Sequence, residues 1–269
     1  MSDEQIEALL KKNFQGLANV KRNIWLVVFL MCVVILYVAT QVKGSLILII
    51  LIALSLFIVV KLINNLYIKK LNKQWKKIEK ILYDDCDSEL FYRILAFAYD
   101  NYSQSKIVRL IIISNYLQAC LAQRMSNKAK ELLKDPFFVE RVLLKNPATA
   151  AYTNMEIAAI DNDSKLFESN YQKLMDMVSN NDEKAEAILK MVNIDYLFYK
   201  GNYKQFLDIL PKTETDTQYA KVTVSYMKGY ALFQLRDYKE AKVNFEYVIE
   251  YGNTLPIVEM AKQLLMKID

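Results

Sequence analysis

The chain has 269 residues, of which 54% are hydrophobic, and only five glycines and four prolines are available to form turns. Such a composition favours long helices with few breaks. Much of the net charge of +5 lies beside two apolar runs near the N-terminus, and the remaining basic residues, mostly lysines, form no concentrated patch, which argues against nucleic-acid binding. The chain contains no histidine, which excludes Ser-His-Asp and Cys-His nucleophile sites and histidine zinc sites.

Other signatures of enzyme chemistry are also missing from the sequence. The three cysteines are far apart and form no C-x-x-C pair, and there is no glycine-rich phosphate loop. We therefore expect a protein that is not an enzyme and that has no catalytic residues, cofactor or metal site.

Two apolar runs lie near the N-terminus, at residues 24–42 and 44–60, and neither contains a charged residue. Runs of this length predict two membrane-spanning helices. A cleaved signal peptide would have a shorter apolar core and would not be followed at once by a second run. The expected organisation is a cytoplasmic segment over 1–23 and a transmembrane helical hairpin over 24–63.

Basic residues precede and follow the predicted hairpin, whereas only Lys43 lies in its turn. The basic residues are therefore concentrated on the side of the membrane that holds both ends of the hairpin. The flanking basic residues are Lys11, Lys12, Lys21, Arg22, Lys69, Lys70, Lys73, Lys76, Lys77 and Lys80. By the positive-inside rule, both termini face the cytoplasm of a multi-pass plasma-membrane protein, which we expect to be bacterial. The spans are interpreted as an anchor, because neither contains an acidic residue and two helices alone cannot enclose a transport pathway.

A basic amphipathic linker helix is predicted over 64–83. Its apolar residues recur at steps of three and four: Tyr67, Leu71, Trp75, Ile78 and Leu82. We expect the six lysines that follow the hairpin, Lys69, Lys70, Lys73, Lys76, Lys77 and Lys80, to face anionic membrane lipid. Pairing with a partner helix and a solvated stalk are the alternatives.

The remaining residues, 84–269, predict a cytoplasmic all-α domain. Asp87 or Ser88 is a candidate N-cap, and the Asn146-Pro147 pair and Pro256 have the pattern of further helix starts. No segment alternates as a strand bounded by hairpin turns. The acidic cluster over 84–89 is interpreted as capping and turn chemistry, because a calcium loop also requires a glycine turn and a distant bidentate acid.

Two segments near the C-terminus, 197–210 and 226–245, have the same rhythm at a spacing of 35 residues. The later segment resembles a tetratricopeptide repeat. The resemblance implies that Gly229 is the small residue at which two helices approach, and that Ala241 and Phe245 face back into the helix pair.

This pattern resembles the tetratricopeptide repeat, and fainter copies at 123–133 and 157–167 extend the resemblance over about residues 105–269. The resemblance implies a tetratricopeptide-like α-solenoid, in which each helix pair is apolar on two faces and needs neighbours to bury them. An irregular helical bundle is the alternative.

Tetratricopeptide arrays generally hold a peptide or protein segment against the concave surface of their first helices. Six residues are predicted to lie on that surface: Tyr152, Glu156, Asp195, Tyr199, Tyr226 and Tyr230. Ordinary packing is the other interpretation of these tyrosines, since the chain has eighteen.

The expected function is a membrane-anchored interaction or scaffold protein with a cytoplasmic protein or peptide partner. The alternative is an accessory subunit of a membrane transporter or secretion complex.

Overall fold

The computed structural model describes residues 1–41, 46–102, 106–179, 183–210 and 216–268. Within these ranges the regular structure is helical and no strand occurs, which confirms the all-α prediction. The chain divides into two compact units, Met1–Ile78 and Glu79–Asp269.

The first unit is built from α1 (Asp3–Gln41) and most of α2 (Leu46–Tyr83). Ser2 and Gln5 form a reciprocal cap at the start of α1: the Gln5 amide donates to Ser2 Oγ over 3.3 Å, and the Ser2 amide donates to Gln5 Oε1 over 2.9 Å. Two of the backbone donors at this helix start thereby gain acceptors. Ile6 and Leu10 in the next two turns are buried.

The predicted membrane hairpin requires correction. The apolar runs are parts of longer helices, since α1 begins at Asp3 and α2 continues to Tyr83, and both helices also carry charged residues. Among the described residues, no helix is long and apolar enough to cross a membrane. The predictions of a transmembrane hairpin over 24–63 and of a multi-pass plasma-membrane protein with cytoplasmic termini are therefore wrong. The turn is predicted around residues 40–45, and its residues 42–45 lie outside the described residues.

Large apolar side chains are exposed on both helices of the first unit, among them Phe29, Tyr37 and Phe57, each about two-thirds exposed. Exposed apolar patches usually mark an interaction surface.

The predicted linker helix over 64–83 forms the last part of α2, and it is amphipathic. Leu71, Trp75, Ile78 and Leu82 are buried. The six lysines predicted to face lipid are all exposed: Lys69, Lys70, Lys73, Lys76, Lys77 and Lys80. Their contact with lipid stays a prediction.

The described part of the second unit contains eleven further α-helices and one π-helical turn. They are α3 (Ser88–Tyr102), α4 (Lys106–Ala122), α5 (Ser126–Leu132), α6 (Pro136–Phe138), the π-helical turn Val139–Leu143, α7 (Pro147–Asp161), α8 (Ser164–Ser179), α9 (Glu183–Tyr199), α10 (Tyr203–Ile209), α11 (Gln218–Gln234), α12 (Tyr238–Tyr251) and α13 (Pro256–Leu265). Consecutive helices pack as pairs: α3 with α4, α7 with α8, α9 with α10, and α11 with α12, on which α13 also packs.

Several helix boundaries lie where the sequence predicts them. Asp87 Oδ1 accepts from the Leu90 amide over 3.1 Å and caps α3. Pro147 and Pro256 each occupy the first turn of a helix, where proline removes no intrahelical hydrogen bond. Gly201 follows α9 with a φ of 75°, a left-handed conformation that favours glycine.

The α11–α12 pair depends on the absence of a side chain at Gly229. A Cβ atom at this position would lie 2.9 Å from the Phe245 ring. Ala241 and Phe245 are completely buried on the facing helix, as the repeat pattern predicts.

The start of α3 and the loop before α13 are joined by hydrogen bonds. Ser88 Oγ donates to the Thr254 carbonyl over 3.1 Å, and Thr254 Oγ1 donates to Asp87 Oδ1 over 2.9 Å. Gln123 Nε2, just after α4, donates to Ser88 Oγ over 2.5 Å. The loop before α13 is thus joined to the start of the second unit, and α13 itself contacts α11 and α12.

Candidate partner-binding cavity

A cavity of about 440 Å³, hereafter the central cavity, lies inside the second unit. Its walls come chiefly from α7, α9 and α11, with further residues from α4 and α13. This volume is in the range of pockets that hold small molecules or a few side chains.

All six residues predicted to contact a partner line the central cavity: Tyr152, Glu156, Asp195, Tyr199, Tyr226 and Tyr230. The helices α7, α9 and α11 each contribute two of these residues, four positions apart. Residues at that spacing lie on one face of a helix, so both members of each pair line the cavity from the same face. Their contact with a partner stays a prediction.

The walls are rich in aromatic rings that contact one another. Tyr199 stacks on Phe167 with ring centroids 4.1 Å apart. Tyr230 lies 5.5 Å from Phe198 and 6.0 Å from Tyr203, both with edge-to-face geometry. These separations are typical of favourable aromatic pairs, so the rings support one another in fixed positions.

Tyr226 and Tyr230 differ in burial although they lie on the same face of α11. Tyr226 is only 7% exposed and its ring centroid lies 6.4 Å from that of the core residue Phe245. Burial raises the pKa of its hydroxyl to about 12. Tyr230 is partly exposed, and its hydroxyl is hydrogen-bonded to that of Tyr203. Tyr226 therefore combines core packing with a place in the wall, whereas Tyr230 has more surface available for contact.

Two carboxylates, Glu156 on α7 and Asp195 on α9, lie in this aromatic surrounding. Burial raises the pKa of Glu156 to about 8, with a further contribution from the negative charge of Asp195. Burial alone raises the pKa of Asp195 to about 6. Loss of hydration disfavours the charged form of each acid, so the cavity can hold a proton near neutral pH.

The polar partners of Glu156 do not satisfy it completely. The Tyr152 hydroxyl, one turn earlier, donates a hydrogen bond to the carboxylate. Oε2 of Glu156 is nevertheless buried and has no hydrogen-bond partner. Among the described residues, no lysine or arginine forms an ion pair with Glu156 or Asp195. A buried acceptor without a partner is uncommon and energetically costly.

Several residues that line the cavity were not among those predicted from the sequence. Tyr219 and Thr223 share a hydrogen bond and the helical phase of Tyr226, so the same spacing argument could have found them. Arg124 lines the cavity from the turn after α4, with a left-handed φ of 56°, and its charge lowers the pKa of Tyr226 against the effect of burial. No local sequence signal indicates its position.

The described residues contain no cluster of three or more Cys, Asp or Glu side chains that could hold a metal ion. Comparison with known proteins finds no matching family model, no similar curated protein and no similar solved structure.

Proposed function

We propose that the second unit is a tetratricopeptide-like helical-repeat domain that binds a protein or peptide segment and performs no catalysis. The helix pairs α7–α8, α9–α10 and α11–α12 act as successive repeats, with α7, α9 and α11 as the first helices. The partner segment contacts these first helices and inserts side chains into the central cavity.

One observation carries the proposal: the six residues assigned to the partner surface from the tetratricopeptide resemblance and helical phase all line one cavity. A role in ordinary packing alone would favour a filled interior, because protein cores are close-packed. The tyrosines also suit recognition, since a tyrosine offers a large rigid ring and a hydroxyl at low entropic cost.

Site-specific photo-crosslinking tests this function. A benzoylphenylalanine residue at Tyr230, in the full chain, should capture a partner segment in the native cells. The matched control is Tyr251, which is 45% exposed on α12 and does not line the cavity. The captured segment is then identified, synthesised and titrated against the purified full chain.

The two tyrosines should also differ when each is truncated. Tyr230→Ala should weaken binding of the captured segment by about 2 kcal/mol, as expected for an anchor residue. Tyr251→Ala should leave the affinity unchanged. Equal capture at both positions, or equal affinities of both variants, would show that the central cavity is not the binding surface.

A further inference from the structure

The charges in the central cavity do not cancel when both of its acids are ionised. Glu156 and Asp195 are its acidic residues, and Arg124 is the basic residue among the described residues that line it. With both acids ionised, the lining carries a net charge of −1. One additional monovalent cation would neutralise it.

Arg124 does not fulfil this role itself. It forms no ion pair with either carboxylate, and its charge acts on the Tyr226 hydroxyl, whose pKa it lowers. Within this pair of acids, Oε2 of Glu156 therefore remains buried without a hydrogen-bond donor. An ammonium or guanidinium group supplies both the missing donor and the missing charge.

The aromatic walls favour the same kind of ligand. Tyr152, Tyr199 and Tyr230 line the space shared with the two carboxylates. Ring faces attract cations, and the attraction strengthens where water is excluded. Aromatic rings combined with carboxylates are thus suited to an organic cation with an apolar stem, which a lysine or arginine side chain provides.

We propose that the central cavity receives a lysine or arginine side chain of the bound partner segment, with Glu156 and Asp195 as its counter-charges and the tyrosine rings around its stem. This inference rests on the proposed function, because it names the residue type that the partner inserts.

Proton release should accompany this binding. Near neutral pH Glu156 retains its proton, and an incoming cation favours the ionised form. The titratable and charged groups that surround Glu156 are Tyr152 on α7, Asp195 on α9, Tyr219 on α11, Tyr83 at the end of α2 and, from the turn after α4, Arg124. The tyrosines do not ionise below pH 9, since burial raises the pKa of each. Affinity for a cationic side chain should therefore rise with pH through the titration of Glu156.

Peptide libraries test the inference, each with one fixed residue at its centre. The probes are capped nine-residue peptides with randomised flanks and lysine, arginine, norleucine or glutamate at the centre, titrated against the purified full chain by fluorescence anisotropy. The lysine and arginine pools should bind at least about tenfold more tightly than the norleucine pool at pH 8.5. Lysine-pool affinity should increase between pH 6 and pH 9.

The double variant Glu156→Gln with Asp195→Asn should abolish both the preference and the pH dependence. A matched control removes two exposed charges outside the cavity, with Glu246→Gln and Asp208→Asn, and should keep both. Circular dichroism establishes that each variant is folded.

The outcomes separate this inference from the proposed function. If peptides bind without a preference for basic residues, or if the double variant keeps the preference, the cationic assignment is overturned. Under either outcome, Tyr230→Ala still tests the proposed function. If free spermidine binds as tightly as the lysine pool, the ligand is a small amine and the peptide assignment is overturned. If no pool binds and crosslinking at Tyr230 captures nothing, both proposals fail.

Discussion

Replacing Glu156 by glutamine should stabilise the protein in alkaline solution and leave its stability almost unchanged in acid. The carboxyl group of Glu156 has its pKa raised in the folded state, from an ordinary 4.5 to about 8, because burial disfavours its charged form. Between these two values the folded protein holds a proton that the unfolded chain has lost. The free energy of unfolding of the wild type therefore falls as pH rises from 4.5 towards 8.

The size of the effect follows from the same numbers. One pKa unit corresponds to about 1.4 kcal/mol, so the full difference sets an upper bound of about 5 kcal/mol above pH 8. Glu156 is only partly buried as a residue, and the cavity beside it has room for water. Solvent screening reduces the penalty, and we expect a gain of about 2 kcal/mol for Glu156→Gln at pH 9. The amide also keeps the size of the side chain, so packing is conserved.

The assay is urea unfolding of the full chain followed by circular dichroism at pH 5 and pH 9. Glu246→Gln, on the exposed side of α12, is the control for the loss of one surface charge and should show no pH-dependent gain. Asp195→Asn should lower the pKa of Glu156, since the charge of Asp195 is the second contribution that raises this pKa. The stability of that variant should therefore depend less on pH than the stability of the wild type. Identical pH dependence of wild type and Glu156→Gln would refute the reasoning.

Three further predictions concern packing and ion pairing in the second unit. Gly229→Ala should lower the free energy of unfolding by about 1–3 kcal/mol, measured by urea titration, because its Cβ would lie 2.9 Å from the fully buried ring of Phe245. Arg109→Ala should cost about 1.5–3 kcal/mol at pH 7, because Asp135 is buried and loses its guanidinium partner. Burial opposes ionisation of Asp135, but its hydrogen bonds outweigh burial and lower its pKa. The cost of Arg109→Ala should therefore diminish below about pH 4, which unfolding curves at pH 7 and below pH 4 would reveal. Cys120 should resist iodoacetamide until urea is added, as mass spectrometry can follow, because burial raises the pKa of its thiol to about 12.

The local features of the second unit were accessible from the sequence. Helix starts at Pro147 and Pro256 follow from the lack of a backbone donor in proline, which is harmless only in the first turn. The close approach at Gly229 was predicted from the repeat pattern, since only glycine leaves room for the facing ring. Helical phase predicts that Tyr152 and Glu156, and likewise the two residues on α9 and on α11, share one face of their helix.

The first unit shows where a local argument failed. Uncharged runs at 24–42 and 44–60 predict two spans, yet no helix within the described residues is long and apolar enough to cross a membrane. In the structure α1 also includes the charged residues that precede the first run, and α2 also includes those that follow the second run. The length of an apolar run is a property of the sequence, whereas the limits of the helix that contains it are a property of the fold.

The sequence alone determined which segments are helical, where several of them begin, and which residues share a helix face, because these properties depend on neighbours three or four positions apart. The tertiary structure decided the rest. The junction between Ser88 and Thr254, 166 residues apart, brings α13 beside the cavity. The same folding encloses Glu156 and Asp195 among tyrosines, and loss of hydration then raises the pKa of both acids. Desolvation depends on every element that surrounds a group, and no local pattern in the chain specifies that surrounding.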